Sequence, residues 1–212
     1  MLDLDRLKSE QSKIAKKIIF KDFVKIESIN CVAGVDSSYK KINGKEYCVN
    51  AIAVLDFKTL SVLEIKSSFS KIEFPYVPNF LSFRELPRFL RTFKKLRLKP
   101  EVFLFDANGI IHPRFAGFAS HAGVVLKKPT IGIAKNLLCG IMKGVYVYLN
   151  DKKIGFVLKR NDFRELFVNP GNMITLKTAV RIVSKCFLSE KQKLPEPIRI
   201  AHKISKELLN NF

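Results

Sequence analysis

Residues 102–105 are four consecutive apolar side chains, and Asp106, Ala107, Asn108 and Gly109 follow them directly. An apolar run bounded by turn formers is typical of a buried strand, and the run favours a parallel sheet. The carboxyl ends of such strands form the ligand crevice of open α/β sheets, so we expect Asp106 to face a ligand. A buried carboxylate needs a neutralising partner, usually a divalent cation. The alternative is that Asp106 only starts an Asx turn.

The patterns around this run predict one mixed sheet. Seven apolar or alternating segments predict strands, at 31–36, 47–57, 62–74, 102–105, 130–134, 145–149 and 154–158. Five segments with helical spacing predict helices, at about 4–19, 82–97, 115–126, 175–188 and 196–210. The first three strands have short connections, which predicts an antiparallel meander. We therefore expect an α/β fold, with parallel strands beside the meander, helices on both faces and a single domain over residues 1–212.

The charge of the chain indicates a polyanionic partner. Lys and Arg total 38 against 19 Asp and Glu, a formal net charge of +19. Nucleic acid is the simplest such partner, an anionic membrane surface is a weaker one, and a generally basic, soluble surface is the alternative. The charged N-terminus does not resemble a secretory signal, and no apolar run is long enough to span a bilayer. The four cysteines form no metal-binding or C-x-x-C spacing, so we expect a soluble cytoplasmic protein without a membrane partner.

Asp36 is the second candidate ligand. It interrupts an apolar strand, where Asp is disfavoured. If the first and fourth predicted strands are neighbours, Asp36 and Asp106 would converge, and two adjacent carboxylates require a cation between them. The alternative is an Asp that ends its strand, since Ser37 and Ser38 follow it.

Glu85 and His202 are ambiguous from their spacing. Ser82 and Glu85 fit a capping box at the start of the 82–97 helix, and spacing alone favours that structural role. Glu85 lies at the edge of the helix's apolar face, from which it could reach the Asp pair. The basic side chains of this helix, Arg84, Arg88, Arg91 and Lys95, favour a solvated face over a phosphate track. A lone histidine on the last helix, His202, is more often structural than a metal ligand.

Taken together and in order, several short segments resemble the endonuclease V family, inosine-directed nucleases with a ribonuclease H-like fold. The resemblance covers roughly residues 10–208 and is carried by the segments 33–36 (AGVD), 74–78 (FPYVP), 83–85 (FRE), 105–109 (FDANG), 112–114 (HPR), 119–121 (ASH), 131–135 (IGIAK) and 195–202 (PEPIRIAH). Three positions differ from the usual family pattern: Asn79 and Ala107 stand where Gly is common, and Asn172 where His often occurs.

The resemblance implies a role for each of a defined set of residues. Asp36, Glu85 and Asp106 would be acidic metal ligands, His202 would help to hold a second metal, and Lys135 would lie near the scissile phosphate. The wedge that enters the duplex beside the lesion would be Pro75, Tyr76, Val77 and Pro78. The lesion-binding residues would be Ala107, Asn108, Gly109, His112 and Leu138.

The resemblance also implies the reaction. We expect a two-metal endonuclease that uses Mg²⁺, with Mn²⁺ able to substitute, and that binds deoxyinosine in DNA. It would hydrolyse the second phosphodiester 3′ to the lesion, leave 3′-hydroxyl and 5′-phosphate ends, and so initiate DNA repair, acting as a monomer. The alternatives are an inosine-specific endoribonuclease, another ribonuclease H-like nuclease of the excinuclease type, and a non-catalytic nucleic-acid-binding protein.

Overall fold

The structure, a computed structural model, describes residues 2–160 and 163–212, and these form a single nine-stranded sheet covered by helices. The strands are β1 (Cys31–Ile42), β2 (Lys45–Asp56), β3 (Val62–Lys71), β4 (Val102–Phe105), β5 (Thr130–Ala134), β6 (Ile141–Lys143), β7 (Tyr146–Leu149), β8 (Lys152–Leu158) and β9 (Leu166–Asn172). The α-helices are α1 (Leu4–Ala15), α2 (Leu81–Phe93), α3 (Phe118–Leu126), α4 (Leu176–Lys185) and α5 (Glu196–Asn210), and Ile26–Ser28 form a 3₁₀ turn.

The sheet is mixed, as the sequence predicts. Its strand order is β3-β2-β1-β4-β5-β9-β8-β7-β6. Strands β1 to β3 form an antiparallel meander, β4 lies parallel between β1 and β5, and the remaining neighbours are antiparallel. The predicted fold class is confirmed, and so is the adjacency of the first and fourth predicted strands.

Strand β4 is apolar throughout because both of its faces are covered. Val102 and Leu104 pack into the core under α4 and α5. Phe103 and Phe105 point the other way and pack under α2 and α3. Side chains alternate between the two faces of a strand, so a central strand buried on both sides requires four apolar residues in succession.

Several predicted boundaries differ from the structure. Helix α1 ends at Ala15 rather than near residue 19, and β1 continues to Ile42. Asp36 therefore lies inside a strand and does not end one. The predicted capping box is wrong, because α2 begins at Leu81 and its N-cap position is Phe80, which makes no side-chain cap. Ser82 is consequently a buried residue of the first helical turn.

The expected solvated basic face of α2 is also wrong for two of its residues. Arg84 and Arg88 are only 4% and 9% exposed. The Arg84 guanidinium pairs with Glu46 at 2.7 Å. The two terminal nitrogens of Arg88 donate to the carbonyls of Arg84 and Lys71, at 2.7 and 3.0 Å. These two arginines tie α2 to the meander rather than facing solvent.

Strands β6 and β9 have no counterpart among the predicted strands. Strand β9 contains Pro170 and Gly171, both unfavourable in a strand. The sheet accommodates them through a bulge, because the register with β5 shifts between Thr130 and Ile131. Strand β6 is three exposed residues at the sheet edge, too short to give a sequence pattern.

The four cysteines are all free thiols. Cys31, Cys48 and Cys186 are buried thiols, Cys139 is half-buried, and no disulfide joins them. Within residues 2–160 and 163–212, no helix has both the length and the apolar character that a bilayer crossing demands.

Candidate active site

Asp36 and Asp106 meet because of the register between β1 and β4. Val35 pairs with Phe105 in the parallel ladder, and the Asp106 N–H donates to the Val35 carbonyl at 3.1 Å. Each Asp is therefore the next residue beyond a paired position, on the same face of the sheet. One oxygen of each carboxylate and one ring nitrogen of His202 lie within 4.8 Å of one another.

Helix α5 brings His202 to this pair. Its Nδ1 lies 2.8 Å from Asp36 Oδ2, and the Ser205 hydroxyl donates to the same oxygen at 3.3 Å. The helix can approach β1 this closely because residue 34 is glycine, where a Cβ would come within 2.0 Å of the Pro197 carbonyl carbon. Gly34, two residues before Asp36, thus sets the distance between strand and helix.

Glu85 approaches β1 from the opposite face of the sheet. It lies on α2, is 4% exposed, and accepts a hydrogen bond from the Ser37 hydroxyl at 2.7 Å. The structure therefore places Glu85 beside the Asp pair but outside the group formed by Asp36, Asp106 and His202. Ser37, which follows Asp36 in the strand, connects the two sides.

Burial and neighbouring negative charge make Glu85 and Asp36 harder to ionise. Burial raises the pKa of Glu85 to about 7, the Ser37 hydrogen bond opposes this, and the charge of Asp36 adds to it. Burial and the charge of Asp106 raise the pKa of Asp36, while the hydrogen bond from His202 counteracts them. Such like-charged, partly desolvated carboxylates are stabilised by a cation placed between them.

Lys135 already supplies one positive charge. Its Nζ lies 2.5 Å from Asp106 Oδ2, just beyond the end of β5. The lysine side chain is 41% exposed, so its ammonium can also meet a ligand from solvent. Asp36, Asp106, His202 and Lys135 therefore lie together on one side of the sheet, and Glu85 lies across it on α2.

The predicted wedge, residues 75–78, projects from the loop between β3 and α2. Tyr76 is 68% exposed. The wedge is followed by Asn79, which has a left-handed backbone with φ of 67°. Glycine adopts this conformation most readily and asparagine is among the next best residues, which accounts for Asn at this position.

A buried network holds the Asn79 carbonyl. It accepts from Gln11 Nε2 at 2.7 Å and lies 2.9 Å from His112 Nε2. Because His112 Nδ1 accepts from the Arg114 N–H at 3.2 Å, the imidazole proton is on Nε2 and is donated to Asn79. Arg114 also donates from Nε to Gln11 Oε1 at 2.6 Å. Burial lowers the pKa of His112 to about 4, so the ring is neutral near neutral pH.

A pocket of about 200 Å³ lies between the wedge and the turn after β4. Four of the predicted wedge and lesion-binding residues line it, namely Tyr76, Asn108, His112 and Leu138. Ser82 lines it too, and neither the Ser82 hydroxyl nor the Asn108 amide oxygen has a hydrogen-bond partner within the described residues. Both atoms are buried in the wall of the pocket.

Two of the predicted lesion-binding residues have other surroundings. Ala107 packs in the core beneath α2 and α3. Gly109 packs against β9, where a Cβ would lie 2.2 Å from the Pro170 carbonyl oxygen. Gly109 is required for this close approach of two backbones.

Asn169 and Gln11 were not identified by the sequence. The Asn169 amide oxygen accepts from the N–H groups of Gly109 and Ile111, at 2.7 and 3.1 Å, and so fixes the turn that carries Asn108. Its sequence signal, an Asn before Pro-Gly, indicates only a loop. Gln11 is the buried residue of an otherwise exposed helix, and no local pattern reveals its distant partners.

The donor set suits a hard divalent cation. Carboxylate oxygens are the ligands Mg²⁺ prefers, and one imidazole nitrogen is compatible with Mg²⁺ or Mn²⁺. Burial, and after it the charge of Asp106, raises the pKa of Asp36, and a cation bound to both carboxylates would offset the repulsion between them. The residues therefore fit a divalent metal site next to a pocket with unpaired polar atoms.

Comparison with known proteins agrees with this description. The Endonuclease V family model matches residues 12–203. The chain is 41% identical over 210 residues to the endonuclease V of Dictyoglomus turgidum, which covers 95% of this chain and 89% of that protein.

Solved structures resemble the chain over almost its whole length. The crystal structure of Bacillus subtilis endonuclease V superposes with a TM-score of 0.92 at 33% identity, covering 99% of this chain and 93% of that one. Endonuclease V of Ciona intestinalis, solved with a 24mer DNA containing an inosine followed by a ribo-adenosine, has a TM-score of 0.88 at 29% identity and covers 98% of both chains.

Proposed function

The chain belongs to the endonuclease V family, and on that basis we propose that it is a divalent-metal-dependent endonuclease that nicks DNA containing deoxyinosine. Family membership identifies it as an endonuclease, and the metal and the lesion are our inference. The observation that carries the proposal is the convergence of Asp36 and Asp106 beside Lys135.

Asp36, Asp106 and His202 would hold the metal, and Glu85 would contribute the further acidic ligand. We propose Mg²⁺, replaceable by Mn²⁺, with His202 serving a second ion. Bound there, the ions would supply positive charge that activates the attacking water and stabilises the leaving oxygen. Lys135 would add a positive charge where negative charge develops on the phosphate.

The wedge and the pocket would select the lesion. Tyr76 would enter the duplex, and the extruded hypoxanthine would enter the pocket lined by Ser82, Asn108, His112 and Leu138. A base there would lie beside Ser82 and Asn108, whose hydroxyl and amide oxygen have no hydrogen-bond partner within the described residues. Hypoxanthine offers both a donor and an acceptor on its pairing edge, which suits this pair of groups.

The short distance along the chain between pocket and carboxylates supports cleavage close to the lesion. Asn108 follows Asp106 by two residues, so a base in the pocket leaves a nearby phosphate at the metal site. We propose cleavage at the second phosphodiester 3′ to the lesion, giving 3′-hydroxyl and 5′-phosphate ends. Deoxyinosine arises from adenine deamination, so this cut would initiate repair.

A nicking assay with Mg²⁺ on deoxyinosine, uracil and undamaged duplexes tests the proposal. We expect metal-dependent nicking of the deoxyinosine duplex, mapped to the second 3′ phosphodiester, and little nicking of the undamaged duplex. Folded protein that binds the deoxyinosine duplex without cutting it in Mg²⁺ or Mn²⁺ would contradict the proposal and favour a non-catalytic binding protein.

Inosine-containing RNA is the second candidate substrate. The ribo-adenosine that follows inosine in the DNA bound to the Ciona intestinalis relative favours it, because a 2′-hydroxyl is tolerated at that position in that protein. Nicking rates on matched DNA and RNA strands decide between the two, and equal or faster RNA cleavage would overturn the preference for DNA.

We further propose a cytoplasmic monomer, with residues 1–212 forming one domain around the continuous sheet.

A further inference from the structure

A second and larger cavity lies on the other flank of the wedge. It has a volume of about 600 Å³ between the end of β3 and helix α2. Phe74, the residue before the wedge, lines this cavity. Asn79, the residue after the wedge, lines the pocket proposed above to receive the lesion. The residues that flank the wedge in the chain thus line two different cavities, and none of the residues assigned to catalysis or lesion binding lines the larger one.

Positive charge dominates the walls of the larger cavity. Its lining includes three basic residues, Lys71, Arg88 and Arg91, and one acidic residue, Glu73. Arg88 is held by two carbonyls, and its buried Nε has no hydrogen-bond partner in the described part of the chain. Lys71 and Arg91 are exposed and form no ion pair within residues 2–160 and 163–212. Their charges are therefore free to meet phosphates.

Aromatic rings form another part of the lining. Phe74 and Phe83 lie with their ring centroids 6.2 Å apart and their planes inclined by 25°. Both rings are half-buried, so each keeps some surface open. Aromatic faces beside exposed cations are the combination that binds unpaired nucleotides, because bases stack on rings while phosphates pair with Lys and Arg.

We propose that this cavity binds the strand opposite the lesion and receives the base that loses its partner when the wedge enters. The inference rests on the proposed function of the wedge. If the damaged base turns into the pocket on one flank, the unpaired opposite base is left on the other flank, where Phe74, Lys71 and Arg91 lie. The chain would then hold both members of the opened base pair.

Charge reversal tests the strand assignment. We compare Lys71→Glu/Arg91→Glu with Lys177→Glu/Lys185→Glu, a matched change of net charge on exposed residues of α4, which packs on the other face of the sheet. Binding to deoxyinosine oligonucleotides is measured without metal, in duplex and in single-stranded form. We expect the first variant to lose at least about tenfold more duplex affinity than the control. The slope of its log affinity against log salt concentration should fall by the equivalent of about two phosphate contacts. Single-strand affinity should change equally in both variants.

Each other result overturns the inference. Equal losses for the first variant on duplex and single strand would mean that the cavity contacts the lesion strand. Affinity losses no greater than those of the control variant would mean that the cavity contacts neither strand. The proposed function has a separate readout, because metal-dependent nicking of a deoxyinosine duplex by the wild type would persist if only the cavity assignment failed.

The base itself is tested with Phe74→Leu, which keeps an apolar side chain but removes the ring. Affinity is compared for two deoxyinosine duplexes, one with a pyrimidine opposite the lesion and one with an abasic site there. We expect about a fivefold or greater loss for the first duplex and no loss for the second, because only the first has a base to stack. Equal losses on both duplexes, or no loss on either, would contradict base capture.

Discussion

The carboxylate cluster and the wedge are positioned in different ways. Asp36 and Asp106 each follow the last paired residue of the ladder between β1 and β4, so the main-chain register fixes their separation. The wedge has no strand or helix of its own, and its downstream end depends on two side-chain hydrogen bonds to the Asn79 carbonyl. The proposed chemistry is thus attached to main-chain pairing in the core, and the proposed lesion recognition to a loop held by a few side-chain hydrogen bonds.

The two regions also differ in what they contribute to stability. Ionised carboxylates brought together and partly desolvated destabilise the metal-free protein. The hydrogen bonds that Gln11 and His112 make to the Asn79 carbonyl, here called the wedge anchor, join neutral groups and stabilise the loop. Substitutions should therefore have opposite effects in the two places.

The largest effect is expected from Asp106→Asn, which removes charge from the cluster without changing its shape. Nicking of a deoxyinosine duplex in Mg²⁺ should fall by at least about a thousandfold, comparable to losing a major electrostatic contribution to the transition state. Binding should be retained or strengthened, since a negative charge near the phosphate disappears. The measurements are single-turnover nicking and equilibrium binding to the same duplex.

Asp151→Asn is the control for that experiment. It makes the same change in an exposed turn, where the backbone has a left-handed φ of 57° that asparagine tolerates. Nicking by this variant should match that of the wild type. If Asp106→Asn instead lost binding along with nicking, cleavage and recognition would not be separable as the two regions suggest.

The second largest effect is expected from Glu85→Gln, on the free energy of unfolding of the metal-free protein. Burial holds the pKa of Glu85 at about 7 against an ordinary 4.5, so the folded state binds more protons than the unfolded state between these pH values. Stability should therefore fall as pH rises through this window. At pH 8, Glu85→Gln should raise the free energy of unfolding by about 3 kcal/mol.

Urea unfolding at pH 5 and pH 8 measures the difference in free energy of unfolding between the wild type and Glu85→Gln. Glu190→Gln, the same change at an exposed residue, is the control. The gain from Glu85→Gln should be much smaller at pH 5, and Mg²⁺ should stabilise the wild type more than the variant at pH 8. A variant less stable than the wild type at pH 8 would show that Glu85 contributes to folding, contrary to the assigned cost.

The sequence predicted that Asp36 and Asp106 would converge, but not the surroundings of Glu85 and Arg88, and for a physical reason. Strand periodicity and the adjacency of β1 and β4 are local or topological rules, and they brought Asp36 and Asp106 to one edge. For Glu85 the spacing alone favoured a helix cap, because Ser-x-x-Glu fits that motif, and only tertiary structure shows its bond to Ser37. Arg88 likewise follows a solvated pattern, although distant carbonyls bury it.

The smallest effect is expected at the wedge anchor, with Gln11→Leu. Leucine can fill the buried site, but the Asn79 carbonyl loses one of its two donors and Arg114 Nε loses its acceptor. The free energy of unfolding should fall by about 1–3 kcal/mol. The preference for deoxyinosine over undamaged duplex should fall about tenfold, equivalent to about 1.4 kcal/mol of wedge positioning.

The distribution of this loss tests the comparison itself. Because Gln11 touches no residue of the carboxylate cluster, the nicking rate at saturating protein should change by less than about threefold, an estimate that assumes chemistry and recognition are independent. Ser12→Ala, which alters a hydroxyl bonded only to Lys8 of the same helix, should leave both quantities unchanged. If Gln11→Leu lowered stability but preserved discrimination, the His112 bond alone would suffice to hold the wedge. If it lowered the saturating rate as far as the discrimination, the wedge and the cluster would have to be treated as one coupled unit.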